Sequence, residues 1–469
     1  MIWTAEASEM ENAGALNELT IPRENRLLKI LGIGFGLSVV IGGAIGSGIL
    51  RNPGIVAANL GVAWAILAAW MFGGVYSLLG ANTYAEVSTA LPIAGGPYVF
   101  IRRAYGDFLG FAGGMTDFVQ NCCSLAYLSI VFGEYVGTLI PALAGRANAV
   151  AVAVLCVLSS LNMTGVRSGD LTQKITSGLK VVAFLAFVAA CFIFGSRDSV
   201  AAQPIQPVTA LSNPLLIIGG VAIALNSVMG TYSGWYAATF FCEECPDPGR
   251  YVPRSLFGGI LMVTAIYLLV NAALLYALPV GNIAASKLPA ADVATNLLGD
   301  AGGRVITALA LCSVLGVINA GLMFAPRSLF SMSRDGFVPA SASSVNRRGT
   351  PGVALAAPLV LAVGFALSGT YETLLEISVF LVLCVDSAVY LAIFVLRRRE
   401  PDLPRPFRAI GYPILPGIIL VISWVLLAVF VVGNTKNSLF SIGILIMLYP
   451  VFILLKLLRR RMNGNSLST

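Results

Sequence analysis

The chain has 469 residues, 57% of them apolar and 11% charged, with a net charge of +7 and no histidine. Soluble domains carry about 25% charged residues, so a water-soluble fold is excluded. Without imidazole, the usual group for proton transfer near neutral pH is absent as well.

Residues 1–30 read as a polar tail holding Glu6, Glu9, Glu11, Glu18 and Glu24. The tail lacks the basic segment and cleavage site of a signal peptide, so the first apolar stretch is expected to be retained. Apolar stretches of membrane-crossing length follow at 31–52, 62–84, 107–140, 147–163, 172–195, 213–241, 256–279, 302–330, 353–369, 373–396, 413–433 and 438–458. The sequence therefore predicts an all-α integral membrane protein with twelve transmembrane helices. A short tail at 459–469 follows, and no connection is long enough for a soluble domain.

With the N-terminus inside, twenty-two Lys and Arg residues fall on the cytoplasmic side and five outside, while Arg51 and Lys180 lie within spans. This bias sets both termini in the cytoplasm. It also explains the net charge without nucleic acid as a partner; the bilayer is the expected one.

Gly32-Ile33-Gly34-Phe35-Gly36 has the look of a nucleotide fingerprint, but no strand precedes it, and close helix packing accounts for it. Two later interruptions differ in kind. Gly42-Gly43-Ala44-Ile45-Gly46-Ser47-Gly48 breaks the first span, and Met229-Gly230-Thr231-Tyr232-Ser233-Gly234-Trp235 breaks the sixth. Broken backbone inside lipid is tolerated where it lines a cavity. A pair of such breaks in corresponding places points to inverted repeats with a mid-membrane binding site.

Among the eight cysteines, Cys242-Glu243-Glu244-Cys245 has metal-type spacing but no second pair to complete a site. No cofactor or metal is expected. Lys180, deep in the fifth span, is a functional candidate because an ionisable group there is expensive; the alternative is a lysine snorkelling to the cytoplasmic face. Asp386, near the middle of the tenth span, reads as a proton site, a partner for a buried base, or a packing acid bonded to a neighbour. Glu243 and Glu244 are expected to pair with Arg250 or Arg254. Glu372 and Glu376 share a helix face at the outer end of the tenth span.

Several motifs together resemble those of the amino acid–polyamine–organocation permeases. They are Gly42 to Leu50; Tyr84-Ala85-Glu86 with Leu91-Pro92-Ile93-Ala94-Gly95-Gly96-Pro97-Tyr98; Thr231-Tyr232-Ser233-Gly234-Trp235 with Glu243-Glu244; Ala325-Pro326-Arg327 through Ser333-Arg334-Asp335-Gly336; and Arg397 to Arg408. The resemblance implies a LeuT-type fold with a 5+5 inverted repeat, 31–195 and 213–396, plus two helices over 413–458. It also implies sodium-independent secondary transport of amino acids across the plasma membrane, by proton symport or by exchange, and no enzymatic activity. The position of Lys180 is similar to that of a family lysine standing where relatives bind sodium, bridging the first span to the eighth.

The backbone of the breaks agrees independently. N–H groups of Gly46, Ser47 and Gly48 suit a carboxylate, and carbonyls near Ala44, Ile45, Met229 and Gly230 suit an ammonium. Thr231, Tyr232 and Ser233 complete the expected site, and the resemblance implies that Asn319 of the eighth span lines it. Gly230 stands where the family places a bulky aromatic, which predicts a roomier pocket accepting a fairly bulky neutral amino acid. The heteromeric branch of the family this chain resembles places a partner-bonding cysteine in the loop that runs here from Pro141 to Ala149; none lies there, so the resemblance implies no disulfide-linked heavy chain. The rival within transport is a polyamine or cationic-amine carrier, which calls for several pocket carboxylates. A membrane sensor or channel is the rival of another class, but the chain offers no signalling domain, and two breaks closing on a site differ from an open pore.

Overall fold

The computed structural model describes residues 29, 31–46, 48–163, 166–195, 213–346 and 350–465. Most of the tail read at 1–30, together with Ser47, Arg347, Arg348 and the last four residues of the second tail, lies outside the described residues.

Apolar side chains on every face make each segment helical, because only a helix satisfies its own backbone in lipid. The first expected span is two helices, α1 (Ile33–Ala44) and α2 (Gly48–Leu60), bent by 41°. Next come α3 (Ala63–Ala90), the short α4 (Pro97–Tyr105), α5 (Asp107–Leu139), α6 (Ala147–Met163) and α7 (Val166–Phe194). The second half holds α8 (Pro214–Tyr232), a 3-10 stretch over Trp235–Glu244, α9 (Pro248–Ala277), the short α10 (Val280–Ala285) and α11 (Pro289–Arg334), which bends at Gly299. It closes with α12 (Gly352–Ser368), α13 (Tyr371–Arg399), α14 (Ile414–Gly433) and α15 (Thr435–Asn465). Among the described residues, nine helices are long and apolar enough to cross a membrane, or ten when the bent pair counts as one span. The expected fourth and ninth spans fall on α6 and α12, of 17 residues each, at the lower limit of crossing length.

The second break sits later than the sequence reading placed it. Met229, Gly230, Thr231 and Tyr232 remain in the last turn of α8, and the chain turns at Ser233–Gly234, where Gly234 has φ +95°. That left-handed conformation is readily open only to glycine, which explains why Gly234 rather than Gly230 marks the break.

α5 packs against both α11 and α13; α11 also packs on α1, α2 and the 3-10 stretch, and α13 on α8. The breaks themselves touch backbone to backbone: a Cβ on Gly43 would lie 3.2 Å from the Gly234 carbonyl oxygen, and one on Gly234 would lie 2.8 Å from that of Gly43. Exposed Val182, Ile193, Trp424, Val425 and Ile446 mark outer faces on α7, α14 and α15 as lipid-contacting.

Candidate substrate site at the helix breaks

A small cavity of about 50 Å³ lies where the breaks meet, well below the ~300–1,000 Å³ of drug-sized ligand sites. Ala44, Gly46 and Gly48 line it from the first break, and Gly230, Thr231 and Ser233 from the second. These are six of the eleven residues the sequence assigned to substrate. The N-terminus of α2 faces the cavity with no acidic side chain in its first turn, leaving its partial positive charge for a ligand anion. Gly48 has no room for a side chain, since a Cβ would lie 2.7 Å from Thr231 Oγ1.

The remaining assignments fall elsewhere. Ser47 is outside the described residues. Tyr232 turns away from the cavity, donating to the Trp70 carbonyl at 2.9 Å. The carbonyls of Ala44, Ile45 and Met229 already receive protein donors: Tyr267 Oη at 2.7 Å, Lys180 Nζ at 2.7 Å and the Ser233 N–H at 3.0 Å. Asn319 does not line the cavity; it accepts from Asn162 at 2.9 Å and donates to Gln173 at 3.1 Å, joining α11 to α6 and α7. Gly230 lines the cavity, but the expected extra room is filled. A Cβ there would meet Leu375 Cδ1 at 2.8 Å and Val379 Cγ2 at 3.1 Å, both on α13. Gly230→Phe is therefore expected to push α13 outward and lower thermal stability, rather than merely plug the pocket. An unchanged melting temperature would contradict that packing.

Lys180 is fully buried and does not snorkel. Its ammonium donates to the carbonyls of Gly42 at 3.1 Å and Ile45 at 2.7 Å, and Ser313 of α11 donates to the same Ile45 oxygen at 3.0 Å. The broken first span is thus tied to α7 and α11 through one carbonyl. Gly316 makes space for the ammonium, since a Cβ there would stand 2.8 Å from Nζ. Asp386 is 3% exposed and outside the cavity lining. Its hydrogen-bond partner is the Tyr84 hydroxyl at 2.6 Å rather than a base.

Sequence reasoning missed the far wall, which α5 and α13 supply with Gln120, Asn121, Ser124, Tyr127, Tyr371 and Leu375. The signal was present: Asp117, Gln120, Asn121 and Ser124 follow i, i+3, i+4, i+7 and make one polar stripe along the middle of the helix. Asn52 of α2 was also missed; it donates to Thr231 Oγ1 at 2.7 Å and so couples the two breaks.

Two ionic layers bracket the cavity. On one side Arg51 pairs with Glu134 at 2.8 Å and Glu372 at 2.9 Å and lies over the Tyr371 ring. On the arginine-rich side, Arg327 forks onto Glu244 at 2.6 and 3.0 Å, while Arg334 donates to Glu243 through Nη1 alone at 2.8 Å. Both glutamates thus reach across to α11 rather than to Arg250 or Arg254. A fork needs two parallel donors aimed at one carboxylate, which the facing α11 supplies.

Residues 36–455 match the family described as amino acid permease. The serine/threonine exchanger SteT of Bacillus subtilis (strain 168) is 28% identical over 434 residues, covering 92% of this chain and 97% of its own. The mouse Asc-type amino acid transporter 1 is 29% identical over 444 residues, 91% of this chain and 81% of its own. The human large neutral amino acids transporter small subunit 2 is 28% identical over 440 residues, 91% and 80%. Since the matched stretch takes in both breaks and every wall of the cavity between them, the chain belongs to the amino acid permease family.

Proposed function

We propose that this protein is a sodium-independent secondary transporter that carries amino acids across the plasma membrane by alternating access, through proton symport or exchange. The observation that carries the reading is one cavity lined by the start of α2 on one side and the end of α8 on the other. A substrate carboxylate meets the N–H groups at Gly46–Gly48. Its ammonium meets carbonyls of the last turns of α1 and α8 at Gly43 and Gly230, because those of Ala44, Ile45 and Met229 are occupied. Among the described residues, the cavity lining contains no charged side chain, which favours a net-neutral zwitterion over a polyamine. Lys180 stands in for a bound cation, and Asp386 is assigned with it to ion coupling.

Twelve spans, arranged as inverted repeats over 31–195 and 213–396 with 413–458 appended, complete the reading, with the arginine-rich side and both termini cytoplasmic. The absence of cysteine between Pro141 and Ala149 supports a transporter without a disulfide-linked heavy chain. No catalytic step and no cofactor are required.

Purified protein in liposomes is expected to accumulate labelled neutral amino acids without sodium, driven by a pH gradient or by amino acid on the opposite side. Uptake that requires sodium overturns the coupling, and no uptake of any amino acid overturns the transport reading. Thiol labelling of introduced cysteines is expected to reach position 287 from outside and position 405 only from inside; the reverse at 405 overturns the topology.

A further inference from the structure

Resting on that transport reading, we propose that Asp117 carries the proton that couples transport to a pH gradient, which makes the protein an amino acid–proton symporter. Asp117 lies ten residues into α5, about 15 Å along the helix from its arginine-rich end. Its side chain is fully buried, and among the described residues its hydrogen-bond partners are neutral, with no Lys or Arg paired to it. A lone charge at this depth is expensive, and taking up a proton removes it.

The surroundings accept the carboxyl group in both forms. Gln120 Nε2 donates to one oxygen at 3.3 Å and the Ser328 hydroxyl of α11 to the other at 3.1 Å, with the Asn121 side chain beside them. A serine hydroxyl rotates. It donates to a carboxylate and accepts from a carboxylic acid, so a proton enters or leaves without a backbone shift. The titratable groups facing Asp117 are Tyr236 of the 3-10 stretch, Cys122 of α5 itself and Asp386 of α13. On α11, Arg327 beside Ser328 is committed to Glu244, and on α4 the Tyr98 hydroxyl is given to Asp335. α6 and α12 carry no charged residue, and Tyr449 of α15 meets α5 at Phe108, more than two turns away.

The carboxyl group is joined to the cavity through one nitrogen. Gln120 Nε2 also donates to the Tyr236 hydroxyl at 2.8 Å, and both Gln120 and Tyr236 line the cavity. Hydrogen bonds to an ionised group are roughly twice as strong as neutral ones. A negative Asp117 therefore holds Gln120 and Ser328 firmly and ties α5 to α11, between the cavity and the Arg327–Glu244 layer. Protonation weakens that tie while substrate is bound. Opening toward the arginine-rich side then admits water to the carboxyl group; its O–H bond breaks, the proton passes to water and the electron pair stays on the carboxylate oxygen. Asp386 is held instead by Tyr84, which is not part of the cavity lining, so the proton linked to substrate belongs to Asp117.

Liposomes holding a pH-sensitive dye, with the membrane potential clamped at zero, read that proton directly. The probes are labelled alanine, serine, threonine and leucine. Wild-type protein is expected to acidify the lumen as a probe enters, and to accumulate it up to about tenfold on an inward gradient of one pH unit. Asp117→Asn keeps the shape of the side chain but has no proton to give. It is expected to lose both lumen acidification and accumulation, so that labelled amino acid enters only down its own gradient. Asp117→Glu is expected to restore both in part. A folded Asp117→Asn that still acidifies the lumen overturns the proposal. Should Asp117→Asn fail to fold or move nothing, Asp117→Glu decides: accumulation with acidification supports the proposal, and their absence makes the position one of packing and overturns it. A wild type that carries amino acids without moving protons also overturns it, and leaves the transport reading standing. A wild type that carries none of the probes and no other amino acid overturns both.

Discussion

Lys180→Ala is expected to reduce transport strongly while leaving a folded protein in the membrane. The substitution removes two charge-assisted hydrogen bonds from the first break, each worth about 1.5–3 kcal/mol. It also removes the cost of holding an ammonium within the bilayer. The two changes offset one another in stability but not in geometry. The Gly42 carbonyl loses its lysine donor and the Ile45 carbonyl keeps only Ser313, so the loop that presents Gly46 and Gly48 to substrate is no longer tied to α7. Counterflow in liposomes should fall by about 100-fold, as expected for roughly 3 kcal/mol lost from the bound arrangement, with a melting temperature close to wild type. Transport at wild-type rate would remove Lys180 from the mechanism.

Glu244→Ala should have the largest effect on stability. It strands the Arg327 guanidinium, whose side chain is 4% exposed, without its partner. Breaking a buried pair from one side costs about 3–5 kcal/mol. The guanidinium keeps only the Phe241 ring, 4.1 Å away, and the Met323 carbonyl. The Glu243–Arg334 pair is more open, with both side chains about one-fifth exposed. Glu243→Ala is therefore expected to cost about 1 kcal/mol at most. Thermal unfolding of the two variants in the same detergent ranks them, and equal losses would contradict the burial argument. Replacing both partners, Glu244→Leu with Arg327→Met, should recover most of the loss, because no charge is then left unpaired.

The membrane class and the order of helices were legible because hydropathy over some twenty residues is a strong local signal. The first break was also legible, since glycine at that density weakens a helix that the apolar run around it would otherwise continue. The exact turn of the second break was not. Gly230 and Gly234 are equivalent as letters, and only the approach of Gly43 forces the left-handed turn onto the latter. Asn319 was misplaced for a related reason: its register puts it in the membrane, but whether it faces the cavity or Asn162 depends on how α11 rotates against α6. The partners of Glu243 and Glu244 lie 91 and 83 positions away in sequence. Nearby arginines, which sequence reading favours, had no geometric claim on them. The α5 stripe is the case where periodicity sufficed but was not applied to polar residues.

The contact between Gly43 and Gly234 carries a mechanical consequence. Where side chains separate two segments, rotamer changes absorb small displacements before the neighbour moves. Here main chain rests directly on main chain, so there is no slack to take up. A tilt of one half-helix is handed to the other at full amplitude, and the crossing behaves as a bearing rather than a cushion. In the proposed alternating-access cycle, closing around substrate would then need no large rearrangement at the site itself. A fraction of an ångström gained there swings the distant helix ends through a longer arc, as the short arm of a lever moves the long one.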